Sequence, residues 1–229
     1  MNNFATAYFF DIQDFEHKNL FENCQYVWES LNQLTDYLKQ PLGKIEGTIS
    51  PDAYLINPDL ISIGSGTVVE AGAYIKGPCI IGKNCEIRHG AYIRGGVVTG
   101  DHCVIGHDTE IKNTILLNHV AAAHFAYLGD SILGNNVNLG AGVKCANLKL
   151  NHQNIILRTD SGRWPTGKRK LGLIAGDRCQ IGCNAVSNPG TLMGPDTFCY
   201  PGLNFGGFYP AHSVLSPSCK VVVRTKSQP

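Results

Sequence analysis

Every sixth residue from Ile63 onward is apolar and branched: Ile63, Val69, Ile75, Ile81, Ile87, Ile93, Ile105, Ile111 and Leu117, with Thr99 the exception in that run. Four residues after each lies a second register held to small or β-branched side chains: Thr67, Ala73, Cys79, Cys85, Ala91, Val97, Cys103 and Thr109. An amphipathic helix repeats near 3.6 residues and a half-buried strand near two. Period six with two restricted registers fits neither. It predicts a solenoid of short strands, three hexapeptides closing one triangular coil. Gly64, Gly82 and Gly100 recur at eighteen residues, each directly after an inward position. Glycine there lets the backbone turn a corner without a Cβ clash.

The phase breaks twice. Leu133 and Leu139 agree with each other but not with Leu117, so an inserted loop is expected near 118–130. A second loop is expected over 148–173. Ala175, Ile181, Ser187, Met193 and Cys199 then resume the period, with Cys179, Ala185, Thr191 and Thr197 in the small register. Insertions leave a solenoid as loops and often mark its binding face. Upstream, Leu20, Cys24, Val27, Trp28, Leu31, Leu34 and Leu38 repeat at helical spacing between Lys18 and Gln40, and Pro41 stops the helix. Such a helix is expected to cap the first coil, whose strand edge is otherwise unpaired. The expected organisation is a helical cap over 1–50, a β-helix over 51–205 and a tail over 206–229.

Composition narrows the picture. Charged residues are 16% of the chain and net charge is +1, below the roughly 25% charged of average usage. That suits a surface partly buried in an oligomer and implies no nucleic-acid partner. No apolar run approaches the roughly 18 residues of a membrane span, and the first ten residues carry no basic head of a secretory signal. The nine cysteines contain no CxxC pair, which argues against a disulfide framework or a four-cysteine zinc site. Cys79, Cys85, Cys103 and Cys179 fall in the small inward register, where Cys is a compact hydrophobe. A cytoplasmic location with reduced thiols is the expectation.

The candidate chemistry lies after the first break. His119-Val-Ala-Ala-Ala-His124-Phe-Ala-Tyr127-Leu-Gly129-Asp130 leads into Gly134-Asn-Asn136-Val137-Asn138-Leu-Gly140-Ala141-Gly142 and then Ala146-Asn147. An imidazole titrates near neutral pH and can take a proton from an amine. A Gly-Ala-Gly turn can bring a backbone N–H close to a thioester oxygen.

These residues resemble the acetyltransferase domain of the bifunctional N-acetylglucosamine-1-phosphate uridyltransferase/glucosamine-1-phosphate N-acetyltransferase family, in its archaeal-type branch. The shared pattern is H-x-x-Y-x-G-D, G-x-N-V-N-x-G-A-G and a C/A-N pair, covering about Ile61 to Gly202. The resemblance implies an all-β, left-handed parallel β-helix of hexapeptide repeats with a short N-terminal helical cap. It implies a homotrimer with active sites between subunits. It also implies acetyl-CoA as co-substrate, no metal for acetyl transfer, and an amino-sugar 1-phosphate acceptor, glucosamine 1-phosphate first among these. His124 would be the general base, with Asn147 near the sugar amine and Tyr127 and Asn138 at the sugar phosphate. Arg94 and Lys112, eighteen residues apart, would grip that phosphate. Ala141 would meet the thioester through its backbone, with Cys183 and Pro201 near the cofactor.

The sequence departs from this family at two places. No Gly-rich nucleotide loop of a uridyltransferase domain is present. After Asn147 a long stretch replaces a short turn, and the family's following lysine has no clear counterpart; its role passes to Lys168, Arg169 or Lys170, or these three are a solvated basic run. Three alternatives stay open: another acceptor or donor, such as a nucleotide-sugar or an acyl-carrier protein; a zinc lyase; and a non-catalytic trimeric scaffold. A zinc site built on His119 and His124 needs a third histidine a whole coil earlier. Positions 101, 83 and 106 hold Asp101, Lys83 and Gly106, while His89 and His107 stack in what an eighteen-residue coil makes a different column.

Overall fold

A computed structural model describes residues 4–159 and 162–218. Short strands wind into a parallel β-helix with three faces. The first face runs from Thr48–Ile49 to Val214–Leu215 in nine strands. The second runs from Tyr54–Ile56 to Asn204–Phe205 in eight. The third runs from Ile61–Ile63 to Phe208–Tyr209 in eight. Both sequence registers point inward: Ile75, Ile87, Ile93, Ile105, Ala91 and Cys103 are fully buried. Each buried Ile contributes roughly 1.5–3 kcal/mol. Thr99 fits an aliphatic position because its Oγ1 accepts the Gly82 N–H at 3.0 Å, leaving its methyl to pack.

The break near 118–130 is not an insertion. Ile93 pairs with Ile111, eighteen residues on, but Thr99 pairs with Leu116 and Ile105 with Ala122, each seventeen on. Leu116 in turn pairs with Leu133. One residue is missing from the corner after Ile111, and another from the same corner one coil later. Losing two residues and gaining four give the same phase against a period of six. Asn113 and Asp130 make these shortened corners with φ of +45° and +51°, a left-handed backbone that Asn and Asp adopt more readily than most residues. Leu117 therefore points outward rather than into the core.

At the second break the chain does leave the coil. Leu133 pairs with Ala175 and Cys145 with Ser187, each forty-two residues on. The excursion is built on an antiparallel hairpin, Ile156–Thr159 with Gly162–Pro165. Coils also continue past residue 205, where the period was expected to end. Met193 pairs with Tyr209 and Cys199 with Leu215, sixteen residues on. The end of the expected tail, 219–229, lies outside the described residues.

The N-terminal segment is neither one helix nor a cap on the first coil. It comprises Thr6–Phe9, Lys18–Phe21, Val27–Glu29 and Ser30–Tyr37, interrupted at Asn23, whose φ is +59°. The Glu29 carboxylate accepts the N–H groups of Gln25 and Tyr26 at 2.7 and 3.0 Å, which caps the start of Val27–Glu29. The apolar faces of these pieces cover the outside of the third face. Its outward column, Ile80, Val98, Ile115, Ile132, Ile174 and Leu192, packs with Phe9, Leu20, Trp28, Leu31 and Leu34. The segment also crosses coil after coil along one corner. Glu16 meets Lys83 at 2.9 Å, the Asp14 carbonyl accepts from Asn118, the Asp11 N–H donates to Asp177, and Tyr8 Oη accepts the Ala211 N–H. Among the described residues no helix is long and apolar enough to cross a membrane.

Candidate active site

The pairing of Ala122 with Leu139, Leu139 with Ile181 and Ile181 with Cys199 sets one column along the corner between the first and second faces. Two residues after each of these inward positions stand His124, Ala141, Cys183 and Pro201. The residue proposed as base and the three proposed at the cofactor thus fall on successive coils of one edge. The ring of His124 is exposed at the end of Ala121–His124. Its carbonyl accepts the Gly142 N–H at 3.1 Å, which fastens it to the Gly140-Ala141-Gly142 turn. The Ala141 carbonyl is taken by the Asn184 N–H at 2.8 Å, while the Ala141 N–H makes no hydrogen bond among the described residues. A shallow groove of about 400 Å³ follows the same edge, lined by Asn138, Gly140, Cys183, Phe198 and Pro201.

Across the second face lies a polar network. Arg94 Nη1 donates to Glu110 Oε1 at 2.6 Å. Lys112 Nζ donates to Asp130 Oδ2 at 2.7 Å, with side chains only 18% and 9% exposed. Asn113 Nδ2 gives Asp130 Oδ1 a bond of 2.8 Å, and Asn147 Nδ2 donates to Oδ2 as well. Burial pushes the Asp130 carboxyl up, but the three donors outweigh it and hold the group below its usual range. Burial, with the Glu110 and Asp130 carboxylates nearby, raises the Tyr127 phenol. Gly129 leaves room for this network: a Cβ there would stand 2.6 Å from Asn147 Nδ2 and 2.7 Å from Tyr127 Oη and displace both side chains.

The sequence-derived residues therefore fall in two groups. Arg94, Lys112, Tyr127 and Asn147 gather on the second face and its far corner. His124, Ala141, Cys183 and Pro201 gather on the near corner. Asn138, expected beside Tyr127 at a phosphate, stands instead on the first face in the groove with Cys183 and Pro201. Arg94 and Lys112 do share a column, but each already holds a carboxylate. Of the three basic residues after the hairpin, Lys168 turns to the N-terminal segment, donating to Asn32 Oδ1 at 2.6 Å, and burial lowers its pKa.

Sequence reasoning gave no role to Asp130, Glu110 or Asn113. Nor did it align the histidines correctly. The shortened coil puts His124 opposite His107, whose ring stacks on His89 at 6.1 Å. His119 likewise stacks on His102 at 4.8 Å. Among the described residues no three His, Cys, Asp or Glu side chains are grouped to hold a metal ion.

Comparison with known proteins gives a match of residues 75–197 to the family model of the GMPPB C-terminal domain. A bifunctional protein GlmU from Methanococcus maripaludis is 31% identical over 188 residues, covering 80% of this chain and 44% of that protein. The putative uncharacterized acetyltransferase YaiX of Escherichia coli K12 is 36% identical over 137 residues, 60% of each chain. The chain thus spans less than two thirds of these relatives. Among solved structures, the acetyltransferase domain of PglB from Neisseria gonorrhoeae in complex with acetyl coenzyme A aligns over 72% of this chain and 52% of that one, at 17% identity and a TM-score of 0.34.

Proposed function

Since the chain belongs to the GMPPB C-terminal domain family, we propose that it is an N-acetyltransferase that moves an acetyl group from acetyl-CoA to the amine of an amino sugar phosphorylated at its anomeric carbon. Glucosamine 1-phosphate, on the way to UDP-N-acetylglucosamine, is the first acceptor to test. What supports this is the corner column in which His124 precedes Ala141 by one coil. An exposed imidazole and an unbonded backbone N–H stand on neighbouring coils there, an arrangement that suits acyl transfer to an amine. In the step, the amine nitrogen attacks the thioester carbonyl and the C–S bond breaks. His124 takes the proton that the nitrogen loses and returns it to the departing thiolate. Ala141 N–H bonds to the carbonyl oxygen as charge develops on it.

The second-face network serves the acceptor. Asp130 takes the Asn147 amide N–H₂, which fixes that side chain and leaves its carbonyl oxygen as the acceptor for an amine. Arg94 has one N–H committed out of five and Lys112 one out of three, so both keep donors for a phosphate. Large apolar side chains left exposed on the first two faces, Val68, Phe198, Tyr54 and Tyr92 among them, suit a homotrimer. The eight described cysteines are all free, in keeping with the cytoplasm, where acetyl-CoA is at hand.

Thiol release from acetyl-CoA, measured with glucosamine 1-phosphate and galactosamine 1-phosphate, tests the proposal. Replacing His124 by Ala should lower turnover by about 10²–10⁴-fold and leave the melting temperature within a degree or two, because the ring is exposed. Light scattering should give three times 24.8 kDa. No thiol release with any amino sugar would leave the scaffold reading in its place. One observation already favours that reading: no hydrogen bond or ion pair orients the His124 ring among the described residues.

A further inference from the structure

The hairpin after Asn147 has one face buried and one open. Leu157 packs inward, and Trp164 meets the Phe4 ring edge-on at 5.4 Å. The other face carries Ile156, Arg158 and Arg163, which wall a cleft of about 770 Å³ floored by Ala146, Asn188 and Pro189. That volume lies within the 300–1,000 Å³ usual for small-molecule sites.

Arg158 and Arg163 are direct cross-strand partners. Like charges opposed in this way cost stability. Neither guanidinium has an ion pair or a side-chain hydrogen bond among the described residues, and Lys149 reaches only the Asn154 carbonyl, at 3.3 Å. Among the described residues no Asp or Glu lines the cleft. Three cations with no counter-charge among the described residues call for an anion, and two arginines side by side match adjacent phosphates. The remaining lining combines aliphatic side chains, Leu148, Ile155 and Pro189, with the amides of Asn151, Asn154 and Asn188. That mixture can hold a flat ring and read hydrogen-bonding groups on its edge.

The cleft begins one residue before Asn147, the side chain bonded to Asp130. It lies at the far edge of the second face from the His124–Ala141–Cys183 column. We infer that it binds the nucleoside diphosphate of a nucleotide-linked amino sugar, whose sugar then extends over Asn147 and Tyr127 toward His124. This rests on the acyl-transfer reading above. Acetyl-CoA also carries an adenosine diphosphate, so the test must separate the two sources.

UDP is the probe. It should inhibit acetylation of UDP-glucosamine competitively with the acceptor and not with acetyl-CoA. UDP-glucosamine should show a KM at least tenfold below that of glucosamine 1-phosphate. Arg158→Ala and Arg163→Ala should each raise the inhibition constant and the acceptor KM about tenfold, with the KM for acetyl-CoA unmoved. Each should also melt no lower than the parent, because one member of a repelling pair has gone. Competition of UDP with acetyl-CoA, or no inhibition at millimolar UDP, overturns the inference. Calorimetric titration of UDP keeps the two readings apart. If no acceptor is acetylated, the acyl-transfer reading fails. UDP binding that both variants weaken would still support the cleft, and no binding would overturn it.

Discussion

Asp130 is where the candidate site is most exposed to chemical perturbation. Three donors, from Lys112, Asn113 and Asn147, converge on a carboxylate that is almost entirely buried. Asp130→Asn removes the counter-charge of a largely buried Lys112, and such a change costs about 3–5 kcal/mol. Denaturant titration should register it, with thiol release falling as Asn147 loses its support. The folded carboxyl sits below its usual range, so its contribution is complete above about pH 4 and disappears as pH falls through the lowered value. An acid titration of stability should therefore be flatter below pH 4 in Asp130→Asn than in the parent. Only one of these pairings matches the eighteen-residue count along the chain. Lys112 and Asp130 are eighteen apart, but Asn113 and Asp130, like Asp130 and Asn147, are seventeen apart. Only a shortened coil brings those pairs together. The motif around His124 was readable because it is local; the network behind it depends on register between coils.

The N-terminal segment shows how an element can be recognised and still be put in the wrong place. Its apolar spacing correctly marked Leu20, Trp28, Leu31 and Leu34 as buried. What they bury against was signalled elsewhere, by the aliphatic column Ile80, Val98, Ile115 and Ile132 between the inward positions of the third face. A period-six reading that follows only inward residues passes over that column. Trp28→Ala should cost about 3–5 kcal/mol, read as a drop in the denaturation midpoint, with dye binding to the uncovered face. Burial lowers the pKa of His17, whose Nδ1 lies 2.8 Å from Tyr37 Oη. The unfolded segment therefore takes up a proton before the folded one does. Its docking should weaken as pH falls through about 6.5, and His17→Gln should flatten that slope in a fluorescence titration.

Taken whole, the protein is a stack in which each coil touches its neighbours, so stability adds along one axis. Amides at the two open ends, 48–56 and 204–215, should exchange with deuterium well before those of 97–145, where coils lie on both sides. Uniform exchange along the stack would contradict this. The solenoid itself was the plainest message of the sequence, because the six-residue period repeats over most of the chain. The missing corner residues were not, because phase arithmetic gives loss and gain the same remainder.

The strap of residues 8–16 also bears on how the chain is made. It leaves the ribosome before the coils it spans, yet its Tyr8 partner is Ala211 and its Asp11 partner is Asp177. Until nearly the last coil has been synthesised, these oily N-terminal side chains have nowhere complete to settle. A nascent chain arrested near residue 150 should therefore present them to a chaperone such as a ribosome-bound holdase, and release them once translation passes the final turn.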